Sequence, residues 1–466
     1  MDFRTEKDQL GPLSIHSDAY YGIHTKRALH NFSLAKRPVH MDLVHNLVLV
    51  KKACAMANKQ TGALDPNIGD SIITACDLIL TGAYDAYLIT DALQGGAGTS
   101  TNMNVNEVIA NVSLEQLGLS KGDYKKIHPI DHVNLSQSTN DVYPTALRIT
   151  AIYKVRILAN HLATLQESLQ EKEQLFSDIL KLGRTQLMDA LPVTLGQEFG
   201  AYAKAISRDR WRIYKAEERL REVGIGGTAV GTGLNATMPY IYLVTDILRE
   251  LTGLGIARSD LLMDTYQNMD VFVEVSGFLK ACATNLIKIS SDLRLMASGP
   301  TGGLGEIHLE PLQAGSSIMP GKVNPVICES ILQASLKVIG NDTVLTQAAY
   351  LGQLELNAFT PLITDTLLES LDLLIRSVDC FDRLCIQTLT ANAENCKKHL
   401  EKSTALSAAL IHHLGYEQTA TITLAAKEAN MTLRNYLIEH QVMPEATVDL
   451  ILNPRQVTKP GIPGMS

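Results

Sequence analysis

An all-α fold built around long central helices is what this sequence predicts. Between Pro144 and Pro192 the residues Leu147, Ala151, Val155, Leu158, Leu162, Leu165 and Leu169 follow one another at spacings of four, four, three, four, three and four. That is one helical face kept for about six turns. Proline, which breaks helix interiors, is also missing between Pro192 and Pro239, Pro239 and Pro300, and Pro361 and Pro444. Aromatic residues are 5% of the chain, with Trp211 the single tryptophan, which suits aliphatic helix packing better than a β-sandwich.

Taken in order, the region up to about Asn140 has shorter periods and more loop signals. On the helix of the leucine stripe, Lys154, Arg156, Glu167 and Glu171 read as a solvated face. Residues 208–223 are rich in helix formers and stop at Gly224. Residues 271–296 are apolar or small on nearly every face, as in a helix buried all round. A helix of ~30 residues spans about 45 Å, so burial of its length against other copies of the chain is expected. Shorter helices are expected at 404–414, 419–429 and 432–440, before an irregular tail. Three domains follow: 1–140, a central bundle 141–394, and a small helical domain 395–466.

Composition narrows the function. Lys and Arg number 41 against 49 Asp and Glu, a formal charge of −8, where a nucleic-acid surface needs a basic excess. The seven cysteines are scattered, with no C-x-x-C pair, which argues against a disulfide framework or zinc cage and fits a reducing, cytoplasmic setting. No stretch approaches the ~18 apolar residues of a membrane span, and the charged N-terminus does not read as a signal peptide. The histidines lack metal-ligand spacing. Neither a metal nor a cofactor is expected.

Four segments are dense in Gly, Ser, Thr and Asn and each reads as leading into a helix: 95–102 (GGAGTSTN), 136–141 (SQSTND), 183–186 (GRTQ) and 315–325 (GSSIMPGKVNP). Hydroxyls and amides before a helix cap its orphan N–H groups, and the same N–H groups with the helix dipole bind carboxylates. Four such segments, with Lys322 in one of them, point to a small anionic ligand. The run from Gly315 to Lys322 is not a P-loop, because five residues separate Gly315 from Gly321 and Val323 stands where magnesium's Ser or Thr would be. The glycines from 224 to 233 follow a helical stretch rather than a strand, unlike a dinucleotide fingerprint. Ala297-Ser298-Gly299 is the tripeptide that cyclises to an electrophile in some ammonia-lyases, but Pro300 after it reads better as a helix terminator. His128, before Pro129, is a loop histidine that could also contact a ligand.

The 315–325 segment resembles the signature of the fumarase/aspartase superfamily. The likeness covers essentially the whole chain, taking in Ala19-Tyr20-Tyr21-Gly22, residues 101–107, 136–141 and 226–235, and Thr458-Lys459-Pro460-Gly461. It implies a homotetramer with a twenty-helix core, whose active sites are each assembled from three subunits. Fumarases usually carry His after Gly-Arg-Thr and Gly-Ser-Gly-Thr in the first segment. Here Gln186 and Gly96-Ala97-Gly98-Thr99 stand instead, which resembles the branch that removes ammonia from L-aspartate. Met188 departs from the glutamine common in relatives.

The implied reaction is reversible elimination of ammonia from L-aspartate to give fumarate, with no cofactor and a small dicarboxylate as the substrate. By resemblance Ser316 is the base. Thr99, Ser138, Thr139 and Ser317 are placed at the β-carboxylate, Thr185, Lys322 and Asn324 at the α-carboxylate, and Asn140 and Gln186 near the amino group. Fumarate hydratase, and a catalytically silent structural member of the superfamily, stand as alternatives.

Overall fold

The computed structural model describes residues 2–465. A hairpin, β1 (Phe3–Asp8) and β2 (Gly11–His16), opens the chain. Helices α1 (Ile23–Asn31), α2 (Met41–Gln60), α3 (Pro66–Ile79) and α4 (Thr99–Gln116) precede the 37-residue α5 (Thr139–Leu175). A second hairpin, β3 (Leu180–Thr185) and β4 (Met188–Thr194), leads to α6 (Leu195–Leu220). Then come α7 (Met238–Thr252), the short α8 (Asp264–Gln267), α9 (Asp270–Met296), α10 (Val326–Tyr350), α11 (Thr360–Phe381) and α12 (Ala393–Lys402). Two-residue strands lie at Glu222–Val223, Ala257–Arg258, Ile307–His308 and Thr390–Ala391, and short helical turns at Asp85–Tyr87, Pro129–Val133 and Asp382–Ile386.

The expectation of a helical protein with long helices holds. All seven residues of the leucine stripe are buried on α5. The structure adds β-hairpins to the all-α reading, and the 183–186 segment lies on one of them rather than ahead of a helix. Lys154 does not belong to a solvated face. It is buried, and its ammonium sits 2.5 Å from Asp372. Pro144 lies inside α5, one turn past its start, so no N–H returns to the Asn140 carbonyl.

The chain divides into two compact units, residues 1–159, 211–283 and 336–375, and residues 160–210, 284–335 and 376–466. In the first, α2 packs on α3, α4 and α7 through Leu43, Leu47, Ile72, Val105, Val108, Val244 and Leu248. Helix α1 has no cap of its own. The Glu107 carboxylate on α4 takes that place, accepting the N–H groups of Gly22, His24 and Thr25 at 2.8, 2.7 and 3.1 Å. In the second unit α12 packs on β3, and the C-terminal helices close over Leu410, Ile422, Leu437, Val448 and Ile451. The helix expected at 404–414 is a 3-10 turn, Ala405–Leu410, running into Ile411–Leu414. Those expected at 419–429 and 432–440 are Tyr416–Glu428 and Leu433–Glu439. No helix among the described residues is long and apolar enough to cross a membrane.

Candidate functional site

In the first unit the N-termini of α4 and α5 face one cavity of about 820 Å³, bringing together Thr99, Ser138, Thr139 and Asn140. Residues of the 228–235 glycine-bearing loop line it as well. Gly98 caps α4 at φ +94°, and an added Cβ would meet the Tyr143 ring at 2.6 Å, so glycine is required where the chain turns into Thr99. Asp131 is the only charged residue in the lining, and the positive ends of two helices open on the same space.

Hydrogen-bond direction decides what each hydroxyl offers. Thr139 Oγ1 accepts from Asn102 Nδ2 at 3.0 Å, and Ser138 Oγ accepts from the Asn140 N–H at 3.2 Å. Each hydroxyl keeps its own proton for another acceptor, which makes both donors to an anion. Thr99 differs, donating to the Gly96 carbonyl at 2.7 Å, so it receives a carboxylate only after rotating. Asn140 donates from Nδ2 to the Ala229 carbonyl at 2.7 Å, leaving Oδ1 as its side-chain acceptor. An acceptor beside anion donors suits an ammonium group next to carboxylates.

The remaining sequence-predicted residues belong to the second unit, in two groups. Thr185 ends β3, and Gln186 with Leu187 forms the two-residue turn of the hairpin at φ 54° and 64°. Both angles match a type I′ turn, yet neither residue is the Asn or Gly that such turns favour. Gly183 sits at the register shift of the hairpin, where a Cβ would meet the Leu191 carbonyl at 2.5 Å. Beneath the hairpin lies Glu306, 0% exposed. Its carboxylate is 2.8 Å from Arg184 Nη1, 2.7 Å from Lys181 Nζ and 3.3 Å from His399 Nδ1. Burial pushes its carboxyl pKa up, but Lys181 and Arg184 outweigh this and hold it below the ordinary value.

Ser316, Ser317, Lys322 and Asn324 lie on a loop pinned at its neck. The Gly315 N–H donates to the Lys322 carbonyl at 2.8 Å, and Asn324 Nδ2 donates to the Gly315 carbonyl at 2.7 Å. Ser316 Oγ accepts the N–H groups of Ile318 and Met319 at 3.2 and 2.9 Å. Two backbone donors on one serine oxygen favour negative charge there. Ser317 and Lys322 are exposed, as is Ile318 at 85%. His128 caps its own loop, its Nδ1 accepting from Ile130 and Asp131 N–H at 3.1 Å each. Among the described residues no group of three or more His, Cys, Asp and Glu is arranged to hold a metal ion.

Sequence reading gave no role to the groups behind the cavity. Asn102 stood within a quoted segment, as did Asp141, whereas Lys51 carried no signal, since a lysine pair on a helix reads as surface. Glu306, equally silent, is recognisable only once the chain is folded.

Residues 11–340 match a family model described as "Lyase". An aspartate ammonia-lyase of Bacillus subtilis (strain 168) is 45% identical over 99% of this chain and 98% of its own length. One from Pseudomonas aeruginosa is 45% identical over 98% and 97%. Among solved structures, a fumarate lyase:delta crystallin from Brucella melitensis bound to cobalt superposes with a TM-score of 0.95 at 43% identity, over 98% of this chain and 100% of that one. A class II fumarase from Schistosoma mansoni gives 0.93 at 32% identity, with the same coverage. The chain therefore belongs to this lyase family, within the fumarase/aspartase superfamily.

Proposed function

We propose that the protein is an aspartate ammonia-lyase, converting L-aspartate reversibly to fumarate and ammonia. The observation that carries this reading is likeness along the full chain to relatives of that name, at 41 to 45% identity. The chemistry of the cavity agrees with it: hydroxyls on Ser138 and Thr139 whose oxygens already accept a bond and whose protons remain for a carboxylate, and the Asn140 Oδ1 as an acceptor for the amine.

The physical difficulty is the C3 proton, which lies beside a carboxylate that is already negative. Its removal by the Ser316 alkoxide leaves the electron pair as a dianionic aci-carboxylate. That pair then forms the C2–C3 double bond as the C–N bond breaks and ammonia leaves. Preorganised donors stabilise the second charge, each worth ~3 kcal/mol by analogy with an oxyanion hole. Thr99, Ser138, Thr139 and Ser317 take this role, with Thr185, Lys322 and Asn324 at the α-carboxylate and Gln186 with Asn140 at the amine. The N–H donors of Ile318 and Met319 support a serine that acts as a base, and Lys322 on the same loop supplies a cation.

In this reading the enzyme is a homotetramer in the cytoplasm, and each site draws its segments from three copies of the chain around a twenty-helix core. The three domains, 1–140, 141–394 and 395–466, belong to the same picture. Purified protein given L-aspartate should produce the ultraviolet absorbance of fumarate, and given malate should not. Activity on malate alone would make it a fumarate hydratase.

A further inference from the structure

Behind the cavity wall two buried charges face the segment that carries Ser138, Thr139 and Asn140. Asp141 is 1% exposed. One carboxylate oxygen accepts the Ser138 N–H at 3.0 Å, and the other accepts those of Gly226 and Thr228 at 3.3 and 3.2 Å. Lys51, 0% exposed, donates to Asn134 Oδ1 and Gln137 Oε1 at 2.7 and 2.8 Å. Every partner of Asp141 is a donor, which fits its ionised form, and Lys51 donates to two side-chain oxygens.

Thr228 is the residue under load. It is β-branched and not glycine, yet its φ is +58°, a conformation such residues avoid. It lines the same cavity as Thr99 and Thr139, beside Ala229, whose carbonyl takes the Asn140 amide. Asp141 bonds both the start of α5 and this turn, and the Asn140 amide adds a bond to Ala229 next to it.

We infer that Asp141 is a positioning residue for dicarboxylate binding: its ionised carboxylate, backed by Lys51, holds the strained 226–228 turn against the start of α5 and so sets where Ser138 and Asn140 stand in the cavity. The inference rests on the reading of that cavity as the substrate site. Asp141 itself meets no substrate. It acts through Ser138, Thr228 and Asn140.

The titratable groups around Asp141 are Lys51 and Cys54 on α2, Tyr240 on α7 and Tyr266 on α8. Burial pushes the Cys54 thiol up to about 12 and raises both tyrosines, so these stay neutral near pH 7. Burial also pushes the Asp141 carboxyl up to about 7 and draws the Lys51 ammonium down to about 7. The step near neutrality therefore belongs to the Lys51–Asp141 pair. Protonating Asp141 turns one of its two oxygens from an acceptor toward these N–H groups into an O–H donor and removes the charge that strengthens the remaining bonds, so affinity should fall as pH drops through that step.

The test is KM for L-aspartate between pH 6 and 8.5, in the wild type, Asp141→Asn, Lys51→Met and Asp141→Asn/Thr228→Gly. The wild type should show KM rising several-fold toward pH 6. Asp141→Asn should raise KM about tenfold at pH 8 and abolish the step. Adding Thr228→Gly should recover most of that loss, because glycine takes a positive φ freely. Lys51→Met should move the step to higher pH, since a neighbouring cation favours the carboxylate. A wild-type KM that is flat over this range, or an Asp141→Asn enzyme that keeps the wild-type step, would overturn the inference. The wild-type profile decides even if the variants do not fold. A wild type inert toward aspartate would count against the functional reading alone. Hydrogen exchange at the Thr228 amide, faster in Asp141→Asn or unchanged, would then decide the role of Asp141.

Discussion

Asn102 Nδ2 donates to Thr139 Oγ1 at 3.0 Å, and this bond fixes the Thr139 hydroxyl as a donor toward the cavity. The Asn102 amide is itself held, since its Nδ2 also reaches Asn134 Oδ1 at 3.2 Å, the oxygen that Lys51 bonds. Bonds that converge on Asn134 Oδ1 thus link the buried Lys51 to the amide that holds a hydroxyl at the site.

Replacing Asn102 with Ala should free the Thr139 hydroxyl to turn inward. One oriented hydrogen bond to a charged group is worth about 1.5–3 kcal/mol, so KM for the dicarboxylate should rise roughly ten- to a hundredfold. Steady-state kinetics with circular dichroism as a folding control measures this.

Ser316→Ala removes the proposed base while leaving the neck bonds of the loop, Gly315 to Lys322 and Asn324 to Gly315, intact. The expected outcome is kcat lowered by at least ~100-fold, the usual scale for a positioned general base, with KM little changed. Full activity in this variant would remove Ser316 from the mechanism.

Gly98→Ala places a methyl 2.6 Å from the Tyr143 ring at φ +94°. Overpacking of this kind costs about 1–3 kcal/mol, and it should both lower Tm and raise KM by shifting Thr99. Calorimetry and kinetics should register the two effects together.

Asp372 joins three helices of the first unit. It lies 3.0 Å from His40 Nε2 at the start of α2, and 2.5 Å from Lys154 on α5. Burial alone would raise its carboxyl, but these partners hold it well below the usual carboxylate range. A depressed folded-state pKa contributes stability that is present above about pH 4 and lost as pH falls through the folded value. Asp372→Asn should therefore cost roughly 2 kcal/mol at pH 7, less below pH 4, by denaturant titration.

Helical periodicity made α5 legible, because its apolar stripe is local in sequence and the folded burial follows it, whereas α9, read as buried on nearly every side, shows an exposed face at Glu274, Lys280, Lys288 and Ser291 in this chain. Periodicity could not reveal the hairpin at 180–194. Its turn, Gln186-Leu187, lacks the usual Asn-Gly signal, and its base is fixed by Glu306, more than a hundred residues away in sequence. Residues of the cavity were legible where several hydroxyls and amides stood together, as at 136–141. Lys51 and Lys154 were not, because a lysine becomes a buried, paired group only through partners that folding brings from elsewhere.

The most direct test of the account is a comparison of initial rates on L-aspartate and on malate, followed by the ultraviolet absorbance of fumarate. The account predicts rapid fumarate formation from L-aspartate, release of an equal amount of ammonia, and no comparable rate from malate. Fumarate formed from malate but not from L-aspartate would contradict it.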